Sequence, residues 1–241
     1  MNSPPERHRS ITGTDPWAQY ADSRDRCIRL LRSLDAEQAA TRVPFSPEWT
    51  VADVASHLCG LNAEVASGRL VGLGTDERTA HQVGARRGRS LDEICDEWLS
   101  HEDVMQVAIA AAPFFGTRLA ADLIVHLHDI RHALGLAIDR DDEATASAAH
   151  CYALNLEQRV RERLGTGIEV ALSDGTRFSA SGNAVGAPVS LRATPYDFLR
   201  SVTGRRSRRQ IETLDWGGDP TEILDQAWSS YGALPTDDVE V

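Results

Sequence analysis

The stretch TRLAADLIVHLHDIRHALG, residues 117–135, decides the reading of this chain. Leu119, Leu123, Leu127, Ile130, Ala133 and Leu134 recur at helical period and cover one arc of a helix that Gly135 is placed to stop. The polar residues fall into two groups. Asp122 and His126 are one turn apart at the edge of the apolar arc, with Asp129 a further step along. His128 and His132 are also one turn apart, but they project from the opposite, more polar side, and are expected at the surface or behind the interior pair. A carboxylate and an imidazole bordering a helical interior each need a polar partner there.

A second helix carries the same design. Thr50 and Asp53 form a capping-box-like start, and Val51, Val54, Leu58, Leu61 and Val65 stripe one face to about Leu70. His57 sits just off that stripe, and Glu64 lies two turns along on the same side, read as solvated or as a supporting group. If the two helices are neighbours, His57, Asp122 and His126 converge between them. Two imidazoles and one carboxylate leave coordination positions open, which is the catalytic kind of metal site. The spacing D-x-x-x-H recurs in many helices, and a histidine beside an apolar stripe is equally a hydrogen-bonded core residue. Face geometry by itself leaves both readings open.

The remaining elements follow from periodicity and caps. Asp15 and Pro16 open a helix that continues through Tyr20, Cys27 and Leu31 to about Ala40. RVPFSPEW (42–49) reads as a loop, and GLGTDERTAHQVGARRGR (72–89) as a polar connection. Ser90 and Glu93 start a helix that Pro113 and Gly116 end, and another spans about 142–164, stopped by Gly165. The pattern then changes. IEVAL (168–172) and RFSA (177–180) form a hairpin with Asp174-Gly175 as left-handed turn residues, and VSLRA (189–193) is a third strand. Thr194-Pro195-Tyr196-Asp197 opens a short helix to about Val202. A further helix, a turn at Gly217-Gly218 and a last helix or strand complete the chain. The fold class is mostly α: a helical bundle over 14–140, then a small α+β domain over 141–241, with helix 142–164 fitting either side.

Composition bounds the function. The 241 residues are 41% hydrophobic with a net charge of -11, which argues against a nucleic-acid partner. Every basic residue is Arg, a sign of a GC-rich genome. Cys27, Cys59, Cys95 and Cys151 lack metal-type spacing and read as reduced thiols. The polar start MNSPPERHRS reads as a loose tail and not a signal peptide, and no stretch approaches a membrane span. A cytoplasmic protein, monomeric or homodimeric, is expected. Arg205, Arg206, Arg208 and Arg209 could clamp a carboxylate or phosphate, or form a solvated helix start.

These residues carry a resemblance. PEWTVADVASHLCGL (47–61) resembles the signature of the mycothiol-dependent maleylpyruvate isomerase family, of the DinB-like metal-binding four-helix-bundle superfamily. DLIVHLHDIRHALG (122–135) is similar to its second motif, and TGRRSRRQIETLDWGGDP (203–220) to a tail domain often attached to these bundles. The resemblance implies a DinB-like four-helix bundle whose metal ligands fall on His57, Asp122 and His126. It implies a divalent metal, zinc, with mycothiol as cosubstrate, and an isomerase or S-transferase acting on a small electrophile such as a maleylpyruvate-like acid. In that setting Asp129 would orient a ligand imidazole, and Arg205 or Arg206 would bind a substrate carboxylate. Two positions depart from the family: Asp122 stands where Glu is usual, and His128 where Trp is usual. Two alternatives follow: a non-catalytic DinB-like ligand-binding or regulatory protein, and a metal-dependent hydrolase with Glu64 as general base.

Overall fold

The computed structural model describes residues 15–181 and 188–239. The N-terminal tail lies outside them. Helix α1 (Pro16–Leu31) begins as expected, with the Asp15 carboxylate accepting from the backbone N–H of Trp17 and Ala18 and Pro16 in the first turn. It stops short of Ala40. A separate single turn, α2 (Ala36–Ala39), has its own Asp35–Gln38 capping box.

Residues 42–49 are a hairpin, not the expected loop: β1 (Arg42–Val43) pairs antiparallel with β2 (Ser46–Thr50). Its prolines are tolerated because the ladder skips them. Arg42 pairs Thr50 and Val43 pairs Ser46, with an irregularity between, so Pro47 has no partner to donate to. Helix α3 (Val51–Ala66) follows with the Thr50–Asp53 capping box. The supposed connection at 72–89 contains α4 (Asp76–Gly84), N-capped by Thr75. It presses so closely on α3 that a Cβ on Gly60 would lie 2.5 Å from Cβ of Gln82.

The helix expected from Ser90 to Pro113 is two, α5 (Leu91–Ser100) and α6 (Glu102–Ala111), parted at His101. Pro113 opens the next helix instead of ending that one. α7 (Pro113–Ala133) has it in the first turn, where a missing N–H costs nothing, and Gly135 takes φ 63° just beyond the C-terminus. α8 (Glu143–Arg163) is capped by Asp142 and runs out through an extended Leu164, so Gly165 is not a left-handed stop.

Four strands then form one sheet in the order β4-β3-β5-β6: β3 (Ile168–Leu172), β4 (Arg177–Ala180), β5 (Val189–Ala193) and β6 (Asp215–Gly217). The β3–β4 hairpin keeps its expected register, with Ala171 opposite Arg177, but only Gly175 of its turn has positive φ. β5 runs parallel to β3 and antiparallel to β6. Helices α9 (Pro195–Val202), α10 (Arg208–Glu212) and α11 (Thr221–Gln226) complete the C-terminal part. α9 is capped by Thr194 as expected.

The architecture is therefore mostly α, with a helical N-terminal part and a small α+β part after it. α1 and α3 pack against α7 from the bundle side, while α8 packs on α7 and on α9. One cluster of buried apolar residues extends from Tyr20 through Leu123 and Leu156 to Trp228, so the two parts share a core. No helix among the described residues is long and apolar enough to cross a membrane.

Candidate metal centre

α3 contributes His57, and α7 contributes Asp122 and His126. One ligand atom from each lies within 4.8 Å of the other two. His126 Nε2 is 3.8 Å from Asp122 Oδ1, and the two imidazole rings are 5.3 Å apart, edge to face. The one-turn spacing on α7 and the contact of α7 with α3 are what produce this meeting.

Each side chain is held from behind by a different segment. His57 Nδ1 is 2.8 Å from Gln82 Oε1, and Gln82 Nε2 donates at 2.6 Å to Glu64 Oε2. An amide oxygen only accepts, so Nδ1 carries the proton and Nε2 keeps the lone pair. Arg78 pairs with the other Glu64 oxygen at 3.0 Å. Burial, reinforced by the neighbouring His126, lowers His57 to about 4 and keeps it neutral at pH 7.

His126 Nδ1 is buried without a hydrogen-bond partner and lies 3.4 Å from Asp129 Oδ2. Asp129 is 1% exposed and receives Arg200 Nη1 on one oxygen and Arg205 Nη2 on the other, both at 2.8 Å. Burial alone would raise this carboxyl, but Arg205 and Arg200 outweigh it and hold it well below the carboxylate range. Asp122 Oδ1 accepts from the Tyr231 hydroxyl at 3.0 Å, and Tyr231 is hydrogen-bonded in turn to Tyr152 on α8.

The trio faces a cavity of about 520 Å³. Its walls include Phe45 and Trp49 of the β1–β2 hairpin, Leu61, Phe115 and Leu119, with Arg118 and Arg205 as its arginines. The Trp49 ring lies 5.4 Å from His57. Two imidazoles and a carboxylate, one imidazole fixed in the ligating tautomer and an orphaned Nδ1 beside a carboxylate on the other, fit a divalent cation with positions left over. Cys151 is also in the wall, and burial pushes its thiol up to about 11, so it stays protonated.

Several other expected roles need correction. Glu64 is 3% exposed and supports His57 from behind through Gln82, as one of its two expected roles had it; paired with Arg78, it is neither solvated nor beside the cavity. The hydrolase reading thereby loses its base. Arg205 lines the cavity, but its guanidinium is committed to Asp129 and to the Thr203 carbonyl. Arg206 lies outside the lining, donating to the Arg205 carbonyl beside the Tyr196 ring. Arg208 pairs with Glu212 and Asp225, and Arg209 with Asp238, so the arginine run does not converge on one anion. His128 and His132 are not surface residues. α8 and α9 cover that side of α7, where His128 meets Thr145 Oγ1 at 3.2 Å and His132 Nε2 meets the Tyr196 hydroxyl at 2.7 Å. All four cysteines are free and buried.

Sequence reasoning missed Gln82, Tyr231, Tyr152 and Arg118. A signal for Gln82 existed: Thr75 followed by Asp76 and Glu77 is a helix start. Nothing local marks Tyr231, which reaches Asp122 across 109 residues of chain.

Residues 20–114 match the family model described as the mycothiol maleylpyruvate isomerase N-terminal domain. The motif at 47–61 lies inside that match, and the resemblance read there is borne out. The motifs at 122–135 and 203–220 lie beyond it. Among solved structures the chain is similar to the mycothiol-dependent maleylpyruvate isomerase and to a histidine-to-alanine variant of it. Each is 14% identical with a TM-score of 0.49, covering 79% of this chain and 88% of the other. No curated protein matches the chain.

Proposed function

From a chain whose residues 20–114 match the mycothiol maleylpyruvate isomerase N-terminal domain, we propose a metal-dependent enzyme that uses a low-molecular-weight thiol, mycothiol, on a small electrophilic substrate. The reaction is isomerisation or S-transfer, the substrate a maleylpyruvate-like acid, and the cation zinc held by His57, Asp122 and His126. The observation that carries this reading is the meeting of those three side chains at a cavity of ligand size.

A free thiol has a pKa of about 8.5, and a divalent cation at this position supplies thiolate at neutral pH. In isomerisation the sulfur forms a C–S bond at one alkene carbon, and the π pair shifts to the conjugated carbonyl as an enolate. The former double bond turns, and the returning pair expels the sulfur. No atom is gained or lost. Where the enolate takes a proton instead, the sulfur stays attached. The chain's own residues position the ligands: Gln82 fixes the His57 tautomer, Asp129 stands behind His126, and Tyr231 orients Asp122. The aromatic walls at Phe45, Trp49 and Phe115 limit water around the reacting carbons.

Element analysis of untagged protein tests the reading. The expected result is about one divalent cation per chain, lost in His57→Ala or His126→Ala with the helical circular dichroism unchanged. Wild-type protein that cannot be loaded overturns it in favour of a binding module. With the cation present, turnover of maleylpyruvate should cease when mycothiol is withheld.

A further inference from the structure

Arg118 stands on α7 one turn before Asp122 and two before His126, and all three line the same cavity. Its side chain donates across to α8, at 3.3 Å to Asn155 Oδ1, and among the described residues no carboxylate forms an ion pair with it. The other arginine of the lining, Arg205, is neutralised by Asp129. Among the described residues, Arg159 donates to the carbonyls of Ala227 and Trp228 and Arg163 to that of Gln226, and neither pairs with a carboxylate. The three guanidinia share one neighbourhood: burial, with Arg163 and Arg118 adjoining, lowers Arg159 to about 10. Arg159 and Arg163 line an adjoining cavity that shares Ala233 and Pro235 with the candidate site.

We propose that Arg118 and Asn155 receive the carboxylate of a small organic-acid substrate. This deepens the function proposed above and rests on it. An unpaired guanidinium presents a planar fork matched to a carboxylate. Asn155, whose Oδ1 already accepts from Arg118, has its Nδ2 left to donate to the same anion. The helix rises about 1.5 Å per residue, so Arg118 begins only about 6 Å along the axis from Asp122. One short acid can therefore span from the fork to the reacting position.

The test is calorimetric titration of full-length protein, with and without zinc, using maleate and its neutral diamide as probes, alongside element analysis of each variant. Wild type should bind maleate in preference to the diamide. Arg118→Gln should weaken maleate about 10- to 100-fold, the loss expected when hydrogen bonds to a charged group are removed. Asn155→Ala should weaken it less, Arg118→Lys should restore part of it, and zinc content should be unchanged throughout. Equal maleate affinity in wild type and Arg118→Gln, or equal affinity of wild type for acid and diamide, overturns the inference. If zinc never loads while Arg118-dependent maleate binding persists, the proposed function fails and the carboxylate site stands.

Discussion

Asp129 is the residue on which most depends behind the cavity. It lies between two guanidinia, Arg200 and Arg205, the first of them fully buried, with His126 Nδ1 3.4 Å away. Replacing it with Asn keeps the shape and removes the only negative charge in that group. Uncompensated buried charge is expected to cost about 3–5 kcal/mol of stability, read as a lower urea midpoint for Asp129→Asn. His57, Asp122 and His126 were legible because each sits at the edge of an apolar stripe whose direction the sequence fixes. Arg200 was not, because a guanidinium in the last turn of a short helix gives no sign that it crosses to Asp129. Arg205 and Arg206 show the reverse: adjacent in sequence, they point to different partners.

At the level of elements, α3 and α4 are pressed together at Gly60. A Gly inside a helix is ordinarily improved by Ala, by about 1 kcal/mol. Here the added methyl would meet the Gln82 side chain at 2.5 Å and Arg86 Nη1 at 2.8 Å. Overpacking of about 1–3 kcal/mol should win, so Gly60→Ala is predicted to lower Tm. Because the methyl displaces Gln82, it should also weaken cation binding. A raised Tm with unchanged metal affinity would refute this packing account. The sequence displays a mid-helix glycine in HLCGL, but its reason lies in a helix concealed within a Gly-rich run. The reading of α7 failed similarly on one side. Periodicity marked the polar face, yet not the α8 and α9 layer that covers it, buries His128 and leaves His132 half-buried.

For the whole molecule, the shared core makes the C-terminal part a wall of the site and not an appendage. That junction has a pH signature. Burial first, and Arg200 second, lower His132 from 6.5 to about 4 where α7 meets α9. The unfolded chain therefore binds more protons between those values, so stability is full above about pH 6.5 and declines as pH falls toward 4. His132→Gln should flatten that part of the profile in urea titrations at stepped pH. An unchanged slope between pH 6.5 and 4 would count against it. The helical and α+β classes and the order of most elements could be read in advance. How the second part closes on the first could not, because that closure is made by long-range contacts with no local pattern.

The reach of Tyr231 back to Asp122 also bears on how the protein comes into being. A ribosome releases the carboxylate 109 residues before the phenol that steadies it, and delivers Arg200 and Arg205 long after His126. The helical half can therefore collapse with His57 already held by Gln82 while Asp122, and Asp129 behind His126, still lack their C-terminal partners. A cation held by the trio as proposed would meet its fully supported ligands only once residues 200–231 have been made.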